Sequence, residues 1–249
     1  MACGHCLGAC GLWTSGVHRR NHGPEIQTLI GSDTSEVSQE LLETDGFVIL
    51  RNVVKRDALR CLGHKILRYF DRYEDLPDFF RKELSPTAGG AVELNRIDKL
   101  VPGFYDEVLL QMIEERCAAV LRQDVSFTFA NAILKPKQHG APIRPHQDAA
   151  YDGQEAAEQG YTVWLPFTDA HIETGTLFYM PGSHKRGPKT HETSAGVRHV
   201  TLPDDAELAP AEIPLGGISL HSALTIHGSF PNLSDEPRLA LSLRLQPRT

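Results

Sequence analysis

The sequence predicts a mainly β fold with α-helices packed on one of its sheets, and three observations carry that expectation. Up to about Arg122, apolar residues recur at three- and four-residue spacings, the period of a helix face. Beyond Val125 the period drops to two, and short apolar segments alternate with turn signals. In "RLALSLRL", Leu239, Leu241, Leu243 and Leu245 fall on one side, while Arg238, Ala240, Ser242 and Arg244 fall on the other. A leucine face of this kind packs under helices. A helical block followed by many short strands therefore predicts a β-sandwich or barrel with helices outside one sheet.

The elements follow in order. "SEVSQELLETDGFVIL" reads as a short amphipathic helix from Ser35, a turn at Asp45-Gly46 and a strand from Phe47 to Leu50. Leu59, Leu62, Ile66, Leu67 and Phe70 mark the inner face of a second helix. A third runs from about Tyr105 to Arg122, with Leu109, Leu110, Ile113, Cys117 and Val120 inward. Asp106 and Glu107 suit its positive N-terminal end. Cys61 and Cys117 fall on or beside these apolar faces and read as buried small hydrophobes. The strands are "VSFTFANAIL", "YTVWLPF", "TLFYMPG", "GGISLHSALTIHG" and "RLALSLRL".

Bulk composition narrows the function. A chain of 249 residues with 41% hydrophobic and 23% charged content has ample apolar surface for a core. The expected organisation is a flexible Cys/Gly-rich leader over 1–33 and a single domain over 34–249. A formal charge of -7 with scattered basic residues argues against a nucleic-acid partner. No run of eighteen apolar residues and no charged-then-apolar N-terminus occurs, so a cytoplasmic protein without a membrane span is expected. Cys3, Cys6 and Cys10 with His5 offer a C-x-x-C, but no second ligand pair follows to complete a structural zinc site. Oligomeric state is left open.

Chemistry centres on "PHQDAAY". In an extended strand His146 and Asp148 would project to the same side, giving one ion a nitrogen and an oxygen ligand. A third ligand is available in His227, at the end of "LTIHGSFPN", 79 positions after Asp148. Two histidines and a carboxylate on one face of iron leave three positions open, the arrangement of non-haem Fe(II) oxygenases. A 2-oxo acid fills two of them and dioxygen the third. The far carboxylate of that co-substrate then needs a cation, and Arg238 lies eleven residues after His227 across a loop. The planar fork of Arg matches a carboxylate with two parallel hydrogen bonds.

With "PHQDAAY", "MPGSHKRG" and "IHGSFPNLSDEPR" together, the chain resembles the phytanoyl-CoA dioxygenase family of Fe(II)/2-oxoglutarate oxygenases over about Gly46 to Leu245. The resemblance implies a double-stranded β-helix, or jelly roll, with iron on His146, Asp148 and His227. It also implies 2-oxoglutarate contacts at Asn131, Trp164, Ser229 and Arg238. Ser229 and Arg238 make chemical sense as donors to a carboxylate. Asn131 and Trp164 rest mainly on the resemblance. Halogenating relatives carry Gly or Ala where Asp148 stands, so the carboxylate implies hydroxylation of a small organic molecule, with succinate and carbon dioxide released. Desaturation and rearrangement use the same cofactors.

Rival readings leave some of these residues without a role. A non-catalytic metal-binding jelly roll or a zinc hydrolase would have no use for the Arg238 and Ser229 pair. His184 in "PGSH" falls in a tight turn and reads as structural. His139, His171, His191, His199 and His221 have no comparable pattern around them. Arg244 rivals Arg238 as the anchor, but six residues of strand, at about 3.3 Å each, should carry it away from His227. Tyr151, Asp152 and "PTAGGAVELNRID" are candidate pocket walls or lids, and the segment from Lys185 to Pro214 borders the opening. Arg96 and Arg144 suit either an acidic substrate or ordinary salt bridges.

Overall fold

A computed structural model describes residues 35–84, 90–138, 141–151, 160–194 and 197–248. Cys3, His5, Cys6 and Cys10 of the expected leader lie outside the described residues, as do Asp152, His139 and part of the "PTAGG" stretch.

The N-terminal block comprises α1 (Ser35–Asp45), β1 (Phe47–Leu50), α2 (Arg56–Phe70), β2 (Arg81–Glu83), β3 (Val92–Leu94), α3 (Ile97–Leu100) and α4 (Val108–Leu121). Gly46 turns the chain from α1 into β1 at a φ of 84°, a region that suits a residue without Cβ. The third expected helix begins later than its periodicity suggests. Phe104–Asp106 forms a separate 3-10 turn, and Glu107 occupies the N-cap of α4. Cys117 is buried as expected, but Cys61 is exposed, because α2 turns Leu59, Leu62, Gly63 and Ile66 inward instead.

The remaining strands are β4 (Val125–Lys135), β5 (Ile143–His146), β6 (Tyr161–Pro166), β7 (Leu177–Tyr179), β8 (Glu192–Ser194), β9 (Val197–His199), β10 (Ala209–Pro210), β11 (Ile218–Ser222), β12 (His227–Ser229) and β13 (Arg238–Pro247). A seven-stranded sheet has the order β1-β11-β6-β13-β4-β3-β2, and a four-stranded sheet has the order β10-β7-β12-β5. Successive strands β4 to β7 alternate between the two sheets, and β10 to β13 do the same on the way back. This is the jelly-roll winding, which pairs early strands with late ones and so brings residues distant in sequence side by side.

The helices cover the outer face of the larger sheet. Leu239, Leu241, Leu243 and Leu245 share one core with Leu59, Leu62 and Ile66 of α2 and with Leu110, Ile113 and Cys117 of α4. Full burial of each such side chain is worth about 1.5–3 kcal/mol, which holds the sheet in register against the helical layer. Ala240 and Trp164 point the other way and pack with Leu177 and Tyr179 of the smaller sheet. The space between the sheets is therefore lined by the polar side of β13.

One irregularity redirects β4. Its pairing with β13 slips between Arg244 and Leu245, so Leu245 faces Phe127 and Arg244 faces Phe129, leaving Thr128 as the extra residue of a bulge. Val125 and Phe127 lie in the helix-side core before the bulge, and Ala130 and Ala132 lie there after it. The switch of parity turns Phe129, Asn131 and Ile133 into the space between the sheets.

Candidate metal centre

β5 and β12 are neighbours in the smaller sheet, and His146 is the Cα partner of His227 in their ladder. Their imidazole centroids lie 4.4 Å apart. Each ring is turned by its own backbone: His146 Nδ1 donates to the carbonyl of Arg144 at 2.9 Å and His227 Nδ1 to that of Thr225 at 3.0 Å. Both Nε2 atoms are thereby left with lone pairs, and each is 3.7 Å from Asp148 Oδ1. One ligand atom from each of the three residues falls within 4.8 Å of the other two. Two imidazole nitrogens and a carboxylate oxygen at that spacing fit a transition-metal ion.

Asp148 does not reach this position from a strand. β5 ends at His146, and Asp148 opens the 3-10 turn Asp148–Tyr151, so the expectation of two ligands on one strand face is corrected. The intervening Gln147 explains how the spacing still works. It is fully buried, donates to the carbonyls of Gly187 at 3.0 Å and Leu224 at 2.7 Å, and accepts from the Lys189 N–H at 2.7 Å. The residue between the ligands thus pins the chain where it leaves the strand.

The second carboxylate oxygen is held by a row of residues that crosses the larger sheet. His221 pairs with Thr162, and Thr162 pairs with Arg244, on adjacent strands. All three meet Asp148 Oδ2: Thr162 Oγ1 donates at 2.6 Å, His221 Nε2 lies at 3.3 Å and Arg244 Nη1 at 3.6 Å. Burial pushes the Asp148 carboxyl upward, but the positive charge and hydrogen-bond donors around it, Arg244 and His221 among them, hold it well below the ordinary carboxylate value. Burial also lowers His227 well below an ordinary imidazole, so it is neutral and ready to ligate. His221 is tied further to the Tyr179 hydroxyl at 3.0 Å, which meets Ser219 Oγ at 2.7 Å.

Sequence reasoning passed over Gln147, Thr162, His221 and Tyr179. A usable signal existed for two of them: Thr162 shares a strand face with Trp164, and His221 interrupts an apolar strand at the same parity as Ser219. Arg244 also differs from expectation. Distance along β13 separates it from Arg238, yet it reaches Asp148 directly, because Arg238, Ser242 and Arg244 of β13 all line the cavity.

The cavity holds about 370 Å³ and is lined by the three candidate ligands together with Asn131, Trp164, Arg238, Ser242 and Arg244. Arg238 is 1% exposed, donates one hydrogen bond from Nη2 to the carbonyl of Gly175 at 2.8 Å, and stacks over Trp164 with 5.2 Å from Cζ to the ring centroid. Its Nε and Nη1, and the hydroxyl of the fully buried Ser229, have no hydrogen-bond partner among the described residues. Buried donors left without acceptors are costly unless a ligand completes them. Burial pulls the guanidinium downward from its ordinary value, but it remains cationic at neutral pH. Asn131 is already engaged on both atoms: Oδ1 accepts from the Arg96 N–H at 2.9 Å, and Nδ2 donates to Glu93 at 2.9 Å.

The other expected residues are engaged in contacts of their own. His184 accompanies a tight turn beside Gly46, where the ring leaves no room for a Cβ. Arg96 forms a two-pronged pair with Asp98 at 2.9 and 2.7 Å, and Arg144 meets His199 at 3.3 Å. Tyr151 lines the cavity, with Lys82 Nζ 4.7 Å and Arg198 Cζ 5.4 Å from its ring centroid. No helix among the described residues is long and apolar enough to cross a membrane.

Comparison with known proteins agrees with this architecture. The chain is 30% identical over 122 residues to phytanoyl-CoA dioxygenase domain-containing protein 1 of Bos taurus, a match covering 45% of this chain and 42% of that protein. It is 30% identical over 115 residues to 1-deoxypentalenic acid 11-beta-hydroxylase of Streptomyces arenae, covering 41% of this chain and 40% of the other. The aligned segments thus span less than half of either relative. EvdO2 from Micromonospora carbonacea var. aurantiaca, solved in complex with 2-oxoglutarate, superposes with a TM-score of 0.70 and 26% identity over 88% of this chain and 92% of its own. The sequence model for phytanoyl-CoA dioxygenase matches residues 42–240, spanning both sheets, all three candidate ligands and Arg238, and the chain belongs to that family.

Proposed function

We propose that the protein is an iron(II)- and 2-oxoglutarate-dependent oxygenase that hydroxylates a small organic molecule. One observation carries the reading. A single cavity has three convergent metal donors in its wall and, elsewhere in the same wall, a buried guanidinium with unpartnered N–H groups. A dicarboxylate 2-oxo acid suits both features, chelating the metal with one end and meeting Arg238 and Ser229 with the other. EvdO2 holding 2-oxoglutarate supports the same co-substrate here.

His146, Asp148 and His227 would hold the iron, and Arg238, Ser229 and Trp164 would hold the co-substrate. When bound, iron with 2-oxoglutarate and dioxygen supplies an oxidant strong enough to break a C–H bond, with succinate and carbon dioxide as co-products. The chain itself does the positioning. Thr162, His221 and Arg244 fix Asp148 Oδ2 and leave Oδ1 turned toward the histidines. Trp164 and Leu177 line the cavity with apolar surface beside these donors and help to keep bulk water out. Tyr151, Lys82 and Val197 also line the cavity and would face a substrate held there. With Asp148 as the third donor, a bound iron would have a carboxylate where a halogenating site would need a halide, which favours transfer of oxygen.

The test is a screen of small molecules for stimulated succinate formation, followed by mass analysis of the product. Gain of one oxygen supports hydroxylation. Loss of two hydrogens makes the enzyme a desaturase, and an isomeric product makes it a rearranging enzyme. Failure to bind or consume 2-oxoglutarate under any condition contradicts the oxygenase reading.

A further inference from the structure

Lys135 closes β4 directly opposite Arg238 in the β4–β13 ladder. Both side chains are buried, at 0% and 1% exposure. The Lys135 amine donates to the carbonyl of Phe230, next to Ser229, and its stem packs against Gly175, whose carbonyl accepts from Arg238. No carboxylate joins either side chain among the described residues. Glu173 and Glu236 reach the neighbouring loop only through main-chain carbonyls, which accept from the Leu233 N–H and from Asn232 Nδ2, both at 2.8 Å. Arg238 is the charged group that acts on Lys135.

Two cations side by side in a dry interior repel each other and have both lost their hydration. Of the two, Lys gives way, since a guanidinium keeps its proton in proteins whereas an amine sheds one when buried. Burial, reinforced by Arg238, holds Lys135 well below its ordinary value of 10.5. The arriving carboxylate of a co-substrate changes that balance, because its negative charge cancels the field of Arg238.

Resting on the co-substrate assignment above, we propose that binding of a dicarboxylate 2-oxo acid at Arg238 is coupled to uptake of one proton by Lys135. The proton comes from solvent, and a new N–H bond converts the amine to an ammonium. Two neighbouring buried cations then share the field of one carboxylate, and the ligand-free protein avoids keeping both charged. The sign follows from mass action. Uptake on binding makes affinity fall as pH rises, by about tenfold per pH unit for a full proton, between the free and bound values of Lys135.

Titration calorimetry of the protein loaded anaerobically with iron(II) tests this. 2-Oxoglutarate is titrated in phosphate and in Tris, whose ionisation enthalpies differ, and oxalate serves as a chelator with no distal carboxylate to reach Arg238. The expected result is a buffer-dependent enthalpy showing net proton uptake for 2-oxoglutarate beyond that for oxalate, and loss of the excess in Lys135→Met. Equal proton counts for the two ligands overturn the proposal, and so does an excess that persists in the variant. Should Lys135→Met fail to fold, the comparison of ligands on the wild-type protein decides alone. If oxalate binds and 2-oxoglutarate binds no better, with no distal contact, the co-substrate assignment falls and the proposal with it. Tight 2-oxoglutarate binding without proton uptake removes the proposal alone.

Discussion

His146 and His227 face each other across the β5–β12 ladder, with their Cα atoms in register and their rings 4.4 Å apart. Gly228 makes that approach possible. A Cβ there would lie 2.5 Å from Phe178 Cζ and 2.6 Å from the carbonyl of Ile143, so the two strands would have to separate. Gly228→Ala is expected to destabilise the fold by about 1–3 kcal/mol, as overpacking does, and to weaken metal binding. Urea unfolding and metal titration on the same preparation check both. Unchanged metal affinity would show that the strand spacing does not set the site.

The row formed by His221, Thr162 and Arg244 converges on Asp148 Oδ2. Outer partners of this kind tune metal affinity by about 10–100-fold. Thr162→Val removes the shortest of the three contacts with little change of volume. Its iron(II) affinity should fall within that range while the circular dichroism spectrum stays native. An affinity equal to wild type would make the row a purely structural feature.

Arg238 presents buried N–H groups without acceptors, so its charge costs the ligand-free protein stability. Arg238→Met should leave the melting temperature unchanged or raised, yet raise KM for 2-oxoglutarate by more than about tenfold, the worth of a charge-assisted hydrogen bond. Arg238→Lys should recover only part of the loss, because an ammonium cannot offer the paired geometry. A large fall in stability with KM unchanged would assign Arg238 to the core instead.

Lys135 also leaves a trace in the stability of the ligand-free chain. Its value is lowered on folding, so between that value and 10.5 the unfolded chain binds a proton that the folded chain does not. Stability therefore rises with pH through this window, by about 1.4 kcal/mol per unit for one proton. Lys135→Met should lack that slope, and wild type should gain on it in urea titrations as pH rises from 7 toward 10. Parallel curves would mean that Lys135 is charged in the folded state.

Much of the fold was legible because period and parity are local. The leucines of β13 and the inner face of α2 follow directly from side-chain alternation and helical spacing. The candidate ligands were legible as residue types at recognisable positions. Other features depend on contacts made only after folding. Simple alternation through "VSFTFANAIL" puts Phe127 and Phe129 on one face, but the bulge at Thr128 sends one to the helical layer and the other to the cavity. Gln147 reads as a spacer until loops 40 and 77 residues away supply its acceptors. His221 and Arg244 acquire their place from strand register, which no single segment encodes.

One metal ion and one 2-oxo diacid sharing this cavity would form a chelate visible in an anaerobic titration with iron(II) and 2-oxoglutarate. A weak visible charge-transfer band is expected, saturating at one iron and one 2-oxoglutarate per chain. The band should be lost in His227→Ala and need far more 2-oxoglutarate in Arg238→Met. A protein that binds iron without developing the band, or a band indifferent to both substitutions, would contradict that shared site.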